Sequence, residues 1–264
     1  MLEKFKDYIL INGGAWLTAT NYISRITKVL TVVKEEDFSE ETLASFLREL
    51  QKKNSVSTVN GYLNALTAYL KFIKKEIPLP KYLKEVKTLP QSFDENELEH
   101  IIDVLSQTLN KDFLKCKAIL MFLFYTGVRI GSFDTLKRSH FDLNIKTAQI
   151  YASKTKEEYL VTYTTKTAVA LKEYFETEEE LTNDFNMSSN SFQQRIKGWK
   201  YLFPEISLHA HIFRHSFAVN CLKKGVDVSV LKELMNHKDI KMTERYLKLT
   251  NKEIFEIYRK KVDN

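Results

Sequence analysis

Three of the four prolines in this 264-residue chain, Pro78, Pro80 and Pro90, fall within thirteen residues of one stretch, IPLPKYLKEVKTLP. Each proline removes a backbone N–H and crowds the turn before it, and the stretch shows neither helical periodicity nor strand alternation, so no regular element runs through it. The chain is thereby divided into residues 1–76, a linker over 77–91, and residues 92–264, each long part needing its own core. Lys74, Lys75, Lys81, Lys84 and Lys87 stand in or beside the linker against only Glu76 and Glu85. Such a basic tether suits a path along a polyanion, although an ordinary solvated tether reads the same way.

The first part is helical throughout. Leu2, Phe5, Ile9 and Leu10 form one apolar stripe, and Tyr22, Ile23, Ile26, Leu30 and Val33 form a second. Leu43, Phe46, Leu47 and Leu50 form a third that opens after Ser39 as N-cap. A fourth helix covers about Ser57 to Lys74, where Val59, Tyr62, Leu63, Leu66, Leu70 and Ile73 recur at three- and four-residue steps.

The second part mixes periods. SFDE at Ser92 offers a capping box with Glu95 ahead of Leu98, Ile101, Ile102 and Leu105, and a buried helix is expected from Asp112 onward. From Thr147 to Thr164 the period becomes two, with Ile150, Tyr159, Val161 and Tyr163 alternating around the polar turn SKTKEE, which predicts a β-hairpin. Helical text resumes over 166–175 and again in SFQQRIKGWKYLF. Gly225 signals a C-cap, and Asp227 caps a helix whose Val230, Leu231, Leu234 and Met235 are expected to face inward. The fold class is mainly α with a small β-hairpin, in two domains.

The net charge of +6 and a pI near 9.0 favour a polyanionic partner without demanding one. Residues 1–80 hold 11 basic and 9 acidic side chains, so only +2 of the +6 lies there and neither part is a basic tail. Cys116 and Cys221, 105 residues apart in apolar contexts, offer neither disulfide density nor metal-ligand spacing, which suits a reducing compartment. The N-terminus MLEKFKDYILINGG mixes charge among its apolar positions and is no signal peptide, and the run AILMFLFY (118–125) is too short to span a membrane. A cytoplasmic protein with no membrane association is expected.

The chemistry concentrates in residues 209–249. His211 and Arg214 stand three apart, His237 follows after an apolar helix, and Tyr246 comes nine positions later. Arg214 offers a planar fork of donors for two phosphate oxygens. Imidazoles donate hydrogen bonds or move protons near neutral pH, and a tyrosine hydroxyl can attack phosphorus and hold it covalently. The set needs no metal.

The wording HIFRHSFA, then LMNH, then TERYLKL resembles the tyrosine site-specific recombinases and integrases, whose pattern reads His-x-x-Arg-His, Leu-Gly-His and a nucleophilic Tyr. The spacing selects His211 rather than His209 as the motif histidine, and His215 is taken as a packing residue. Asn236 replaces the family's glycine, a tolerable change because Asn best accepts the left-handed backbone after Gly. FYTGVRIGSFDTLKRSHFD is similar to the family's first motif and places Arg129 at its catalytic arginine, while Ser132 stands where an acidic residue is common and Asp134 is the candidate to replace it. In the hairpin, Lys154 takes the place of the catalytic lysine, with Lys156 as alternative, and STVNGYLNALTAYLKFI looks like the last helix of the family's core-binding domain.

The resemblance implies a helical DNA clamp of the SAM-like core-binding kind joined to a catalytic recombinase domain. It implies cleavage of duplex DNA by Tyr246 through a 3′-phosphotyrosyl link, with Arg129 and Arg214 on the phosphate, Lys154 as acid, His211 and His237 assisting, and no cofactor or metal. It further implies a monomer off DNA and a homo-tetramer on two recombination sites, for mobile-element integration and excision or for dimer resolution. A DNA-binding relative with impaired catalysis and a type IB topoisomerase are the alternatives. The tail carries a stripe of Ile254, Phe255, Tyr258 and Val262 after Asn251, which either folds back on its own domain or, as the resemblance implies, passes to a neighbouring protomer.

Overall fold

The computed structural model describes residues 1–84, 91–152, 157–177, 188–237, 239–244, 246–247 and 259. The chain divides into two compact units, Met1–Lys87 and Thr88–Asn264.

The first unit is built of α1 (Leu2–Ile11), α2 (Trp16–Leu30), α3 (Glu40–Lys53) and α4 (Val56–Phe72). Ser39 caps α3 as expected, its hydroxyl accepting the Thr42 N–H, and Ser55 does the same for α4 through Thr58. The stripes read from the sequence meet in one core in which Phe5, Ile26, Leu43, Leu66 and Tyr69 are fully enclosed. Part of the proline-rich stretch belongs to this unit. The Asn60 side chain holds both the N–H and the carbonyl of Leu83 at 2.9 Å, while Ile77, Leu79 and Leu83 pack against the core.

The second unit begins with α5 (Glu95–Thr108) and α6 (Phe113–Thr126). The capping box at the head of α5 lies two residues later than expected. Asp94, not Ser92, accepts the Glu97 N–H, and the Glu97 carboxylate reaches back to the Asp94 N–H at 2.8 Å. The shift has a cause in the core, because Phe93 is drawn inward against Phe124 and Phe213, fixing where the chain can turn into the helix. Residues 116 and 118–124 of α6 are buried all round, the signature of a central helix rather than an amphipathic one.

Past two short 3₁₀ turns at Ile130–Thr135 and Arg138–His140 comes a three-stranded antiparallel sheet, β1 (Phe141–Asp142), β2 (Thr147–Ala152) and β3 (Glu157–Thr162). The hairpin of β2 and β3 pairs Ile150 with Tyr159 and Ala148 with Val161 on its buried face. The third strand escaped the sequence reading because two residues are too few to show a period. The unit closes with α7 (Thr165–Thr177), α8 (Ser189–Trp199), α9 (Ala210–Lys223), α10 (Val228–Leu234) and α11 (Lys241–Glu244). Asp227 caps α10, and Leu231 and Met235, four apart, are fully enclosed. Val230, expected to face inward, is 50% exposed, since it lies off the line those two residues define.

Among the described residues no helix is long and apolar enough to cross a membrane.

Candidate active site

Gly127 ends α6 in the left-handed conformation, with φ of 63°. Two constraints meet here, because a Cβ at this position would also lie 2.4 Å from the ring of Phe217 on α9. Only glycine serves both. The turn leads directly to Arg129, partly exposed at the start of the following 3₁₀ segment, and points the Gly127 carbonyl at α9.

Arg214, on α9, receives that carbonyl. It is only 5% exposed, and its guanidinium donates to Gly127 O through Nη1 and to Met235 O through Nη2 at 2.7 Å. One side chain thus ties the end of α6 to the end of α10. Burial, and then the charge of Arg129, push its pKa down to about 10, while Tyr159 and Tyr246 act in the opposite sense. Arg129 thus acts on Arg214 as a like charge.

The chain leaves α10 through Asn236, whose φ of 47° is the left-handed backbone that the replacement of glycine by asparagine foretold. His237 follows, 6% exposed, and its Nδ1 lies 2.7 Å from the Thr243 hydroxyl on α11, a contact that fixes the orientation of the ring. Three residues after Thr243 comes Tyr246, only 2% exposed among Phe217, Leu222, Leu231 and Met235. Its hydroxyl is 2.8 Å from Nδ1 of His215.

His211 lies one turn before His215, their ring centroids 6.5 Å apart. It is exposed on its outer side, yet its pKa is lowered, first by partial burial and then by the positive charge of His209, Arg214 and Arg129. Arg129 therefore acts on both His211 and Arg214 as a like charge. Among the described residues, no three His, Cys, Asp or Glu side chains gather as a metal site would require.

The description "Phage integrase family" belongs to a family model that matches residues 91–253, well over half of the chain and every candidate side chain just described. The chain belongs to the phage integrase family. It is 31% identical over 207 residues to the tyrosine recombinase XerA of Saccharolobus solfataricus, covering 76% of this chain and 67% of that one. To the tyrosine recombinase XerA of Pyrococcus furiosus it is 26% identical over 273 residues, 97% of this chain and 92% of the other. Among solved structures, a XerA recombinase crystal structure aligns with a TM-score of 0.57 at 20% identity, covering 99% and 98% of the two chains. A lambda integrase dimer bound to a core site aligns with a TM-score of 0.74 at 15% identity, covering 93% and 75%. The expected recognition as a tyrosine recombinase stands, and with it an enzyme that cuts and rejoins DNA strands.

Against the family pattern, Ser132 is buried at 5% exposure. Burial raises the Tyr159 pKa, while Arg214, Arg129 and Ser132 pull it the other way, which sets this phenol among the arginines. Asp134 does not replace the missing acid. Both its carboxylate oxygens are taken at 2.7 Å by the N–H and hydroxyl of Ser189, at the start of α8.

Tyr159, Thr243 and His215 were not identified from the sequence as members of the site. The first had been read only as a strand position and the last as packing. Lys154 and Lys156 fall between the end of β2 and the start of β3, outside the described residues.

Proposed function

We propose that this member of the family is a site-specific recombinase in which Tyr246 attacks a DNA phosphate, forming a 3′-phosphotyrosyl link and releasing a 5′-hydroxyl. Arg214 and Arg129 bind the non-bridging oxygens, His237 and His211 orient the phosphate, and Lys154 protonates the leaving oxygen. The observation that carries this reading is the buried Arg214 guanidinium, held by the Gly127 and Met235 carbonyls, in the same unit as the buried Tyr246 that also packs on Met235. Burial and the like charge of Arg129 disfavour the charged form of Arg214, and a phosphodiester bound by both arginines would relieve that cost as it comes within reach of the nucleophile.

In this reading residues 1–76 clamp one side of the duplex, residues 92–264 carry the chemistry, and four copies assemble on two sites in the cytoplasm. Support for DNA as partner comes from solved relatives described as bound to a difH substrate, to transposon right end DNA and to a core site.

The test is a nicked suicide duplex whose short strand diffuses away after cleavage. The intact chain traps a covalent adduct on a denaturing gel, and Tyr246→Phe binds the same DNA without forming one. An adduct surviving in Tyr246→Phe removes the nucleophile assignment, and absence of any adduct in the intact chain leaves only a DNA binder. Joining of the held strand to a second duplex separates a recombinase from an enzyme that merely relaxes DNA.

A further inference from the structure

The nucleophile must lose a proton as it attacks, and a base that takes it must be in contact with its oxygen. His215 is in contact. Its Nδ1 stands 2.8 Å from the Tyr246 hydroxyl, within the reach required of a general base. The ring is partly buried, its centroid 5.7 Å from that of Tyr246. Helix geometry explains the division of labour on α9. Arg214 and His215 are adjacent in sequence and so project about 100° apart, the first toward the Gly127 and Met235 carbonyls and the second toward Tyr246. His211 and His215, four apart, share a face, and of these two only His215 has a hydrogen bond to the tyrosine in the structure.

Resting on the assignment of Tyr246 as nucleophile, we propose that His215 is a further catalytic residue, the general base for cleavage and the general acid for release. With the ring proton on Nε2, Nδ1 accepts the hydrogen bond from the phenol. As the Oη–P bond forms, the phenol proton passes to Nδ1, and the P–O5′ bond breaks with the leaving oxygen taking its proton from Lys154. In rejoining, the incoming 5′-hydroxyl gives its proton to the Lys154 amine and attacks phosphorus. The Oη–P bond breaks, and the His215 imidazolium returns its proton to Tyr246. Proton and charge balance over the cycle, and no co-reactant is needed.

Two variants and two substrates test this. His215→Asn places an amide oxygen near the position of Nδ1, keeping a hydrogen-bond acceptor for Tyr246 but no group that can take the proton. Adduct formation on the suicide duplex should fall about a hundredfold or more in this variant while DNA binding is unchanged, in line with the range for general-base catalysis. His215→Ala should be similarly slow, and imidazole added to the buffer should restore it in proportion to concentration. A substrate with sulfur at the bridging 5′ position, whose leaving group needs no acid, should rescue neither variant.

Wild-type cleavage by His215→Asn reduces His215 to a hydrogen-bond partner and overturns the proposal. So does failure of imidazole to restore a DNA-binding His215→Ala, or rescue by the sulfur substrate, which would move His215 to the leaving oxygen. These outcomes are separate from the fate of Tyr246→Phe. An adduct in that variant would discard the nucleophile itself, whereas its absence together with fast cleavage by His215→Asn would discard only the base.

Discussion

The ring of Phe217 lies where a side chain on Gly127 would have to go, 2.4 Å from an ideal Cβ. This close approach lets the carbonyl at the end of α6 reach Arg214, so the glycine is a determinant of the site as well as of the turn. Gly127→Ala should cost about 1–2 kcal/mol for the left-handed backbone and about 1–3 kcal/mol more for the overlap with Phe217. In urea unfolding this appears as a lower midpoint at unchanged slope. Adding Phe217→Leu should return part of the second loss and none of the first. A double variant no more stable than Gly127→Ala alone would show that the ring is not what the glycine accommodates.

The two arginines should separate when activity and stability are measured together. Either Arg129→Ala or Arg214→Ala removes one phosphate clamp, and cleavage should fall by on the order of a hundredfold in each case. Only Arg214→Ala also strands the Gly127 and Met235 carbonyls, at about 1–3 kcal/mol for each buried group left unsatisfied. Arg129→Ala takes a like charge away from Arg214, so its unfolding midpoint should stay level or rise. Wild-type cleavage by either variant would remove that arginine from the site, and equal stability of the two would refute the bridging role of Arg214.

What the sequence revealed and what it hid follow from the range of the interactions involved. The Ser39 cap, the α4 stripe, the Asp227 cap and the left-handed Asn236 are decided within a turn of the residue concerned, and each was legible. The start of α5 moved because Phe93 answers to Phe124 and Phe213, far along the chain. The same holds for the site. His211, Arg214, His237 and Tyr246 are spaced by a motif, and Arg129 by a second. Tyr159 enters from a strand that looks like any half-buried hairpin, Thr243 is one threonine among many, and His215 acquires meaning only once α11 brings Tyr246 back over α9.

The identity of the hairpin lysine can be settled by the leaving group. A duplex with sulfur at the bridging 5′ position expels a thiolate that needs no proton, so it should restore cleavage to the variant lacking the general acid and to no other. Lys154→Ala is the variant expected to recover, measured as the ratio of adduct rates on the sulfur and oxygen substrates. Recovery of Lys156→Ala instead would shift the assignment by two residues. Because β2 ends at Ala152 and β3 begins at Glu157, both lysines belong to the short connection, and such a shift would leave the pairing of Ile150 with Tyr159 untouched.

The tail beyond Tyr246 has no use in the chemistry, yet LTNKEIFEIYRKKVDN carries Ile254, Phe255, Tyr258 and Val262 at three- and four-residue steps with charges between them. An apolar stripe of this kind must be covered, either by its own domain or by a neighbour. Passing it head to tail around a ring of four gives every copy one donated and one received segment, so the assembly closes without an exposed end. Truncation after Leu249 should therefore leave a chain that binds a single site and traps the adduct on a suicide duplex, because Arg129, Arg214, His215 and Tyr246 all remain. It should fail to form a four-protomer complex on two sites, read by light scattering with DNA present, and recombination should fall to background. Wild-type recombination by the truncated chain would mean that the stripe is not what joins the protomers. Loss of the adduct along with assembly would instead mean that the tail folds back on its own domain and supports the position of Tyr246.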